Sequence, residues 1–291
     1  MRRWFRRSRW ALVGALFVCV LASWIGAGAL IAPTPSRVLW PATATFSPED
    51  VALSATDGIK LKGWFLPHEG STEAIVLLHG VRANRAAMLG RAFWLHDLGY
   101  NVLLYDARGC GESEPTPITF GFHETRDLLG ALQWLQTRGM TRIGCVGSSQ
   151  GAATILLASK SLPASVRAVV AEEPYATLQD TVDDHFRAHT GLPSGYLGVL
   201  AVPMAEWKLG FGMDAVSPLR EIVGLKAPLY LIGGTADHLA PAAGLRELFA
   251  AAPGEESLWM LESAGHCDVF SRAEDQYKQR IGDFLRRHLS P

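Results

Sequence analysis

The stretch "RIGCVGSSQGAATILLAS", Arg142 to Ser159, decides how this chain is to be read. A strand-like run ends near Gly147, two serines follow between glycines, and a small-residue helical pattern begins. In that pattern Ala152, Ile155, Leu156 and Ser159 recur at i, i+3, i+4 spacing, so they line one helix face. The segment is either a glycine-rich turn with ordinary serines or a strand-to-helix turn that presents a nucleophile. The pattern G-x-S-x-G selects Ser149, because Gly147 and Gly151 stand two residues to either side; Ser148 has Val146 and Gln150 there. So sharp a turn needs neighbours without bulky side chains, which Gly147, Gly151, Ala152 and Ala153 supply. Such a pattern arises readily by chance, so the rest of the chain must supply the context.

Outward from this turn, extended and helical patterns alternate. Strands are predicted at Val51–Thr56, Lys60–Phe65, Ala74–Leu78, Asn101–Tyr105, Arg142–Gly147, Ala168–Glu172, Pro228–Ile232 and Leu258–Leu261. Several are short unbroken apolar runs, as parallel strands covered on both faces require. Helical patterns fall at about 84–98, 122–138, 150–160, 241–252 and 271–288. Two opening strands followed by βαβ alternation predict a mostly parallel, doubly wound α/β sheet over residues 50–291. One connection is too long for this scheme: more than fifty residues separate Glu172 from Pro228. The span of about 175–217 is read as an inserted helical cap, with Tyr175, Phe186, Tyr196, Trp207 and Phe211 supplying its core.

A serine hydroxyl reacts only when a base takes its proton, and the base needs a third group to orient it. His266, in "LESAGHCDVF", follows a predicted strand and precedes a helix, which puts it at the carboxyl edge of the sheet. Open α/β sheets bind ligands at that edge. Asp237, in "LYLIGGTADHLAP", also follows a strand directly. Glu172 and Glu173, after the preceding strand, are the reserve candidates for the acid, and His238 is incidental. Two backbone N–H groups are needed for a developing oxyanion. One is that of Gln150, directly after the serine. The other belongs to the loop "LLHGVRANR" after the Ala74–Leu78 strand, where Val81 is the candidate donor and His79 braces the loop.

From about Val51 onward the chain resembles the α/β-hydrolase superfamily, in its serine aminopeptidase-like and esterase-like branch. The residues that carry the resemblance are "DGIKLKGWFLP", "LLHG", "DARGCGES", "GSSQG", "GTADHLAP" and "AGHCDVF". It implies a Ser149–Asp237–His266 triad, in that chain order, and makes Asp106-Ala107-Arg108-Gly109 a structural turn. Serine at position 149 sets the chain apart from the dehalogenase and epoxide hydrolase branches, which place aspartate there. The implied activity is hydrolysis of a carboxylic ester, on a small-molecule or lipid-like acyl substrate, through an acyl-enzyme. Neither cofactor nor metal is implied. An amide, peptide or thioester substrate stays open on the same triad, as does a hydrolase-fold binding protein without activity.

Composition sets the remaining bounds. The formal net charge is −1, yet five arginines fall in residues 1–9 with no acid among them. The body of the chain is therefore acidic in balance, which argues against a nucleic-acid partner. From Trp10 to Ala32 no residue is charged. At about 1.5 Å per residue this run would span roughly 34 Å, enough for a hydrocarbon core of about 30 Å. Residues 10–32 are expected to anchor the chain in a membrane, residues 1–9 staying cytoplasmic and the rest extracytoplasmic, periplasmic in a bacterium. A cleaved signal peptide is the alternative, with Ala27-Gly28-Ala29 as the cleavage site, and the arginine-rich start also resembles a twin-arginine signal. Residues 33–49, rich in proline, read as a tether. Of four cysteines, Cys110 and Cys267 are the pair that a bridge would join. Oligomeric state leaves no mark on the sequence.

Overall fold

Alternation along the central strands divides the interior into two apolar layers. The computed structural model describes residues 2–44, 47–190 and 198–290, with the side chains of residues 2–9, 11, 12, 15, 185–190, 198 and 199 outside the description. Tyr196, the Phe186 side chain and the five N-terminal arginine side chains thus lie outside the described residues. The chain opens with α1 (Arg2–Ile31), β1 (Thr34–Pro35), β2 (Glu49–Ser54), β3 (Lys60–Leu66) and β4 (Glu73–Leu78). It continues with α2 (Leu89–Asp97), β5 (Asn101–Tyr105), β6 (Cys110–Gly111), α3 (Glu124–Thr137), β7 (Arg142–Ser148), α4 (Gln150–Leu157) and β8 (Val166–Glu172). After β8 come α5 (Leu178–Thr190), α6 (Gly198–Leu209) and α7 (Pro218–Glu221), then β9 (Leu229–Gly234), α8 (Ala242–Ala251), β10 (Glu256–Leu261), α9 (Val269–Arg272) and α10 (Glu274–Leu289).

Val76, Leu78, Leu103, Tyr105, Val169 and Leu231 face one layer, covered by α3, α4 and α8. Their chain neighbours Ile75, Leu77, Val102, Leu104, Val170 and Ile232 face the other, covered by α2 and α10. The period of two along each strand therefore demands helices on both faces. α10 answers with Tyr277, Ile281, Phe284, Leu285 and Leu289, buried at helical spacing.

The main sheet has eight strands in the order β10-β9-β8-β7-β4-β5-β3-β2. All neighbouring pairs are parallel except β2 with β3 and β3 with β5. From β4 the chain goes to β5 on one side and later returns to β7 on the other, so β4 and β7 flank the switch point where such sheets open a crevice.

The insertion between β8 and β9 is helical. Tyr175, Leu178, Met213 and Val216 bury themselves against Ala153 of α4, with Phe122, Val202 and Phe211 packed around them. Trp207 departs from the expected cap core: it is 74% exposed. Its ring lies 5.4 Å from that of Trp24, and Lys208 donates to the Trp24 carbonyl at 3.1 Å. α6 is thereby held between the cap core and the end of α1. Ala27 and Ile31 are buried at this junction, whereas Trp10, Val13, Leu16, Phe17 and Val18 are all exposed. The backbone is helical through the segment expected to be a membrane anchor, but among the described residues no helix is long and apolar enough to cross a membrane.

The proline-rich stretch is fastened to the domain and is not free chain. β1 pairs with β6, Val38 is buried, and Trp40 packs edge-on against Trp64 and Phe93 at 5.0 and 5.3 Å. Cys110 and Cys267 are both free thiols, so no bridge joins them.

At the end of β8, Glu172 is 1% exposed. Arg91 of α2 binds it with Nε at 2.9 Å and again through Nη2, and the Tyr277 hydroxyl of α10 donates to it as well. This buried pair ties both flanking helices to the sheet. Removing one partner strands the other charge, so Arg91→Met is expected to lower stability by about 3–5 kcal/mol at neutral pH. Adding Glu172→Gln should recover much of that loss. Urea unfolding of the three proteins checks both statements.

Candidate active site

The turn after β7 holds Ser149 at φ 53° and ψ −117°, a left-handed backbone that a non-glycine residue rarely adopts. Glycine neighbours make the turn feasible. A Cβ on Gly147 would lie 2.5 Å from the Gly151 carbonyl carbon, and one on Gly151 would lie 2.4 Å from the Leu78 carbonyl oxygen. The turn is held from both sides, Ser149 N donating to Glu172 O at 2.8 Å and Ala153 N to Ser149 O at 2.9 Å. Ser149 is thus presented at the switch point, at the start of α4.

The strand ends bring three residues together. Ser149 Oγ lies 2.8 Å from His266 Nε2, and His266 Nδ1 lies 2.7 Å from Asp237 Oδ2. Asp237 follows β9 and His266 follows β10, adjacent parallel strands. Asp237 is 4% exposed, and its other oxygen accepts from Leu239 N and Ala240 N at 2.8 and 2.9 Å. Those bonds fix the carboxylate so that it faces the imidazole. The carboxylate makes His266 carry its proton on Nδ1, which turns the Nε2 lone pair toward the serine. The arrangement can take a proton from Ser149 Oγ and stabilise the imidazolium that results.

The reserve acids are placed elsewhere. Glu172 is occupied by Arg91 and Tyr277, and Glu173 accepts from the Cys267 backbone N–H at 2.7 Å. His238 is exposed. Ser148, the other serine, has its hydroxyl 3.5 Å from Cys267 Sγ, whereas it is Ser149 that bonds His266.

The loop after β4 passes beside the serine: a Cβ on Gly80 would be 3.5 Å from Ser149 Cβ. His79 braces this loop, accepting from Ala107 N through Nε2 at 3.0 Å and donating through Nδ1 to Gly80 O at 2.8 Å. Burial holds its pKa below the ordinary value, so it serves as a neutral strut. Val81 is the next residue on the loop and is 40% exposed. Gln150 is the first residue of α4, where a helix leaves its N–H groups without intrahelical partners. Arg82, one residue beyond Val81, donates to the Leu30 carbonyl at 2.9 Å and to that of Ala29. The end of α1 is therefore tied to this loop.

Asp106 bonds Arg85 N at 2.7 Å and Glu112 N at 2.9 Å, which makes the Asp106–Gly109 segment a structural turn. The sequence offers Glu173 as a reserve acid and Cys267 as half of a bridge, but not their contact with each other. Both are non-glycine residues at positive φ, 52° and 60°, and they meet across a separation of 94 residues, which no local spacing reveals.

Sheet order, the strained serine turn and the placement of the three side chains define an α/β-hydrolase fold. A family described as the alpha/beta hydrolase fold matches residues 73–189. The chain is 29% identical over 255 residues to YfhR of Escherichia coli strain K12, across 84% of this chain and 83% of that protein. It is 28% identical over 231 residues to YqkD of Bacillus subtilis strain 168, across 78% and 76% of the two chains. Among solved structures, the Pyrococcus furiosus esterase Pf2001 superimposes with a TM-score of 0.74 at 27% identity, covering 89% of this chain and 98% of that one.

Burial alone would lower the His266 pKa, but the hydrogen bond to Asp237 and contact with Cys267 outweigh it and hold the value above 6.5. An NMR titration of the His266 ring is expected to give a midpoint above about 6.5, and Asp237→Asn should bring it down. A midpoint at or below that value in the unaltered chain contradicts the assignment of Asp237.

Proposed function

We propose that this chain is a serine hydrolase that cleaves carboxylic esters. The hydrolase fold and the likeness to an esterase support the class. The observation that carries the mechanism is the unbroken relay from Ser149 Oγ through His266 to Asp237, at 2.8 and 2.7 Å. In this reading His266 Nε2 takes the Ser149 proton as Oγ attacks the ester carbonyl. The N–H groups of Gln150 and Val81 receive the oxyanion. The tetrahedral adduct collapses, His266 returns the proton to the leaving alcohol, and an acyl-enzyme remains. Water, activated by the same imidazole, then releases the acid and restores the serine.

Amides and thioesters, the substrates that a peptidase-like branch would take, are the second reading on the same relay.

Ser149→Ala is expected to abolish fluorophosphonate labelling and nearly all ester turnover. Ser148→Ala should be mild, since its hydroxyl lies outside the relay. Asp237→Asn should leave only weak residual turnover, a loss on the order of 10⁴-fold in kcat with labelling slowed alike, because the imidazole loses its tautomer and charge support. Full-rate turnover by Ser149→Ala overturns the mechanism. Faster turnover of matched amides or thioesters than of esters overturns the substrate class alone.

The reading extends to location. The exposed apolar residues of α1 from Trp10 to Ile25 form a surface that water does not favour, and five arginines stand in residues 1–9. We infer that α1 holds the hydrolase domain at a membrane, on its extracytoplasmic side. Alkaline phosphatase fused after residue 50 should be active in a bacterial host, and the full chain should stay in the membrane on carbonate extraction. An inactive fusion overturns the orientation, and release by carbonate overturns the anchor.

A further inference from the structure

Beside the relay, one group of potential metal ligands comes together among the described residues. A carboxylate oxygen of Glu173, a ring nitrogen of His266 and the sulfur of Cys267 all lie within 4.8 Å of one another. We propose that Glu173, His266 and Cys267 form a zinc site, and that zinc bound there switches the hydrolase off.

The donor set selects the ion. One oxygen, one imidazole nitrogen and one thiolate suit zinc, whereas magnesium and calcium take oxygen ligands. Three protein ligands leave a fourth tetrahedral position for water. The supporting shell is also present. His266 gives its Nδ1 proton to Asp237 at 2.7 Å, which is the carboxylate–histidine arrangement that orients an imidazole on a metal. The remaining lone pair, on Nε2, is the one available to an ion.

Glu173 supplies a second, independent sign. It is 2% exposed, and while Oε2 accepts from Cys267 N at 2.7 Å, Oε1 is buried with no hydrogen-bond partner. A buried carboxylate oxygen left unpaired is costly unless something meets it. The Cys267 thiol is exposed, so an ion has a route in from solvent. Binding forms the zinc–sulfur bond and releases the thiol proton to water; no redox change is involved.

Inhibition follows from competition for one lone pair. In the metal-free chain Nε2 faces Ser149 Oγ at 2.8 Å. A zinc ion on that nitrogen removes the base from the serine, so the two states exclude each other. Metal binding itself does not rest on the hydrolase reading; the inhibition does.

The test uses the full chain in chelator-treated buffer. Cobalt is added first, followed by absorption. A near-ultraviolet thiolate-to-cobalt band is expected in the unaltered chain and not in Cys267→Ser. Zinc is then titrated in metal-buffered medium against hydrolysis of an aryl ester. One zinc per chain should bind as activity disappears, a chelator should restore it, and magnesium at the same concentrations should do nothing. Cys267→Ser and Glu173→Gln should each raise the inhibition midpoint by at least about tenfold. Comparing midpoints removes any change in uninhibited rate. Absence of the cobalt–thiolate band, or an unchanged midpoint in Cys267→Ser, overturns the site. A band without inhibition overturns the switch and leaves the site. A band in a chain that hydrolyses no ester supports the metal site while removing the ester reading.

Discussion

Between Gly147 and Gly151 the backbone has no room for a single added carbon, and it is this closeness that puts Ser149 where it is. The serine sits at φ 53°, a conformation that costs on the order of 1–3 kcal/mol and persists only where its surroundings over-determine it. Here they do. Ser149 is bonded through its own N–H to β8 and through its carbonyl to α4, while both glycines let β4 and α4 close on the turn. Every other part of the site is measured from that point: the β4 loop beside it, and the ends of β9 and β10 that bring Asp237 and His266.

The sheet explains why residues so distant in sequence converge. Parallel strands all release their chains at one edge, and the order reverses between β4 and β7, opening a crevice there. Glu172 and Glu173 stand at the same edge after β8 and do different work. Glu172 is neutralised by Arg91 and fastens α2 and α10 to the sheet. Burial and the charge of Glu172 push the Glu173 carboxyl up to about 7, and that side chain holds the His266 loop by the Cys267 N–H. Adjacent acids thus divide between scaffold and site because one has a buried cation and the other does not.

Much of this was legible in the sequence, for a physical reason. The strands are unbroken apolar runs, Ser149 is framed by glycines, and Asp237 and His266 follow strands directly, so local pattern and chain order both point to the same edge. What escaped were features set by contacts across long separations. The pairing of Glu173 with Cys267 belongs here, as does the docking of Trp24 against Trp207. The proline-rich stretch from residue 33 looked like free tether because its composition is that of a linker. Its attachment depends on β6 and on Trp64 and Phe93, none of them near in sequence. Asp237 was the favoured acid with Glu172 and Glu173 in reserve, and long-range contacts set them apart: Asp237 lies 2.7 Å from Nδ1, while Glu172 is taken by Arg91 and Glu173 accepts from Cys267 N.

The central claim is that chemistry passes through a covalent bond on Ser149. Rapid mixing with an aryl ester, acid quenching within the first turnover and mass spectrometry of the digested chain tests it most directly. The account predicts a burst of phenol and an added acyl mass on the peptide that contains Ser149. Turnover with neither burst nor adduct, or an acyl mass on Ser148 or Cys267 in its place, would contradict it.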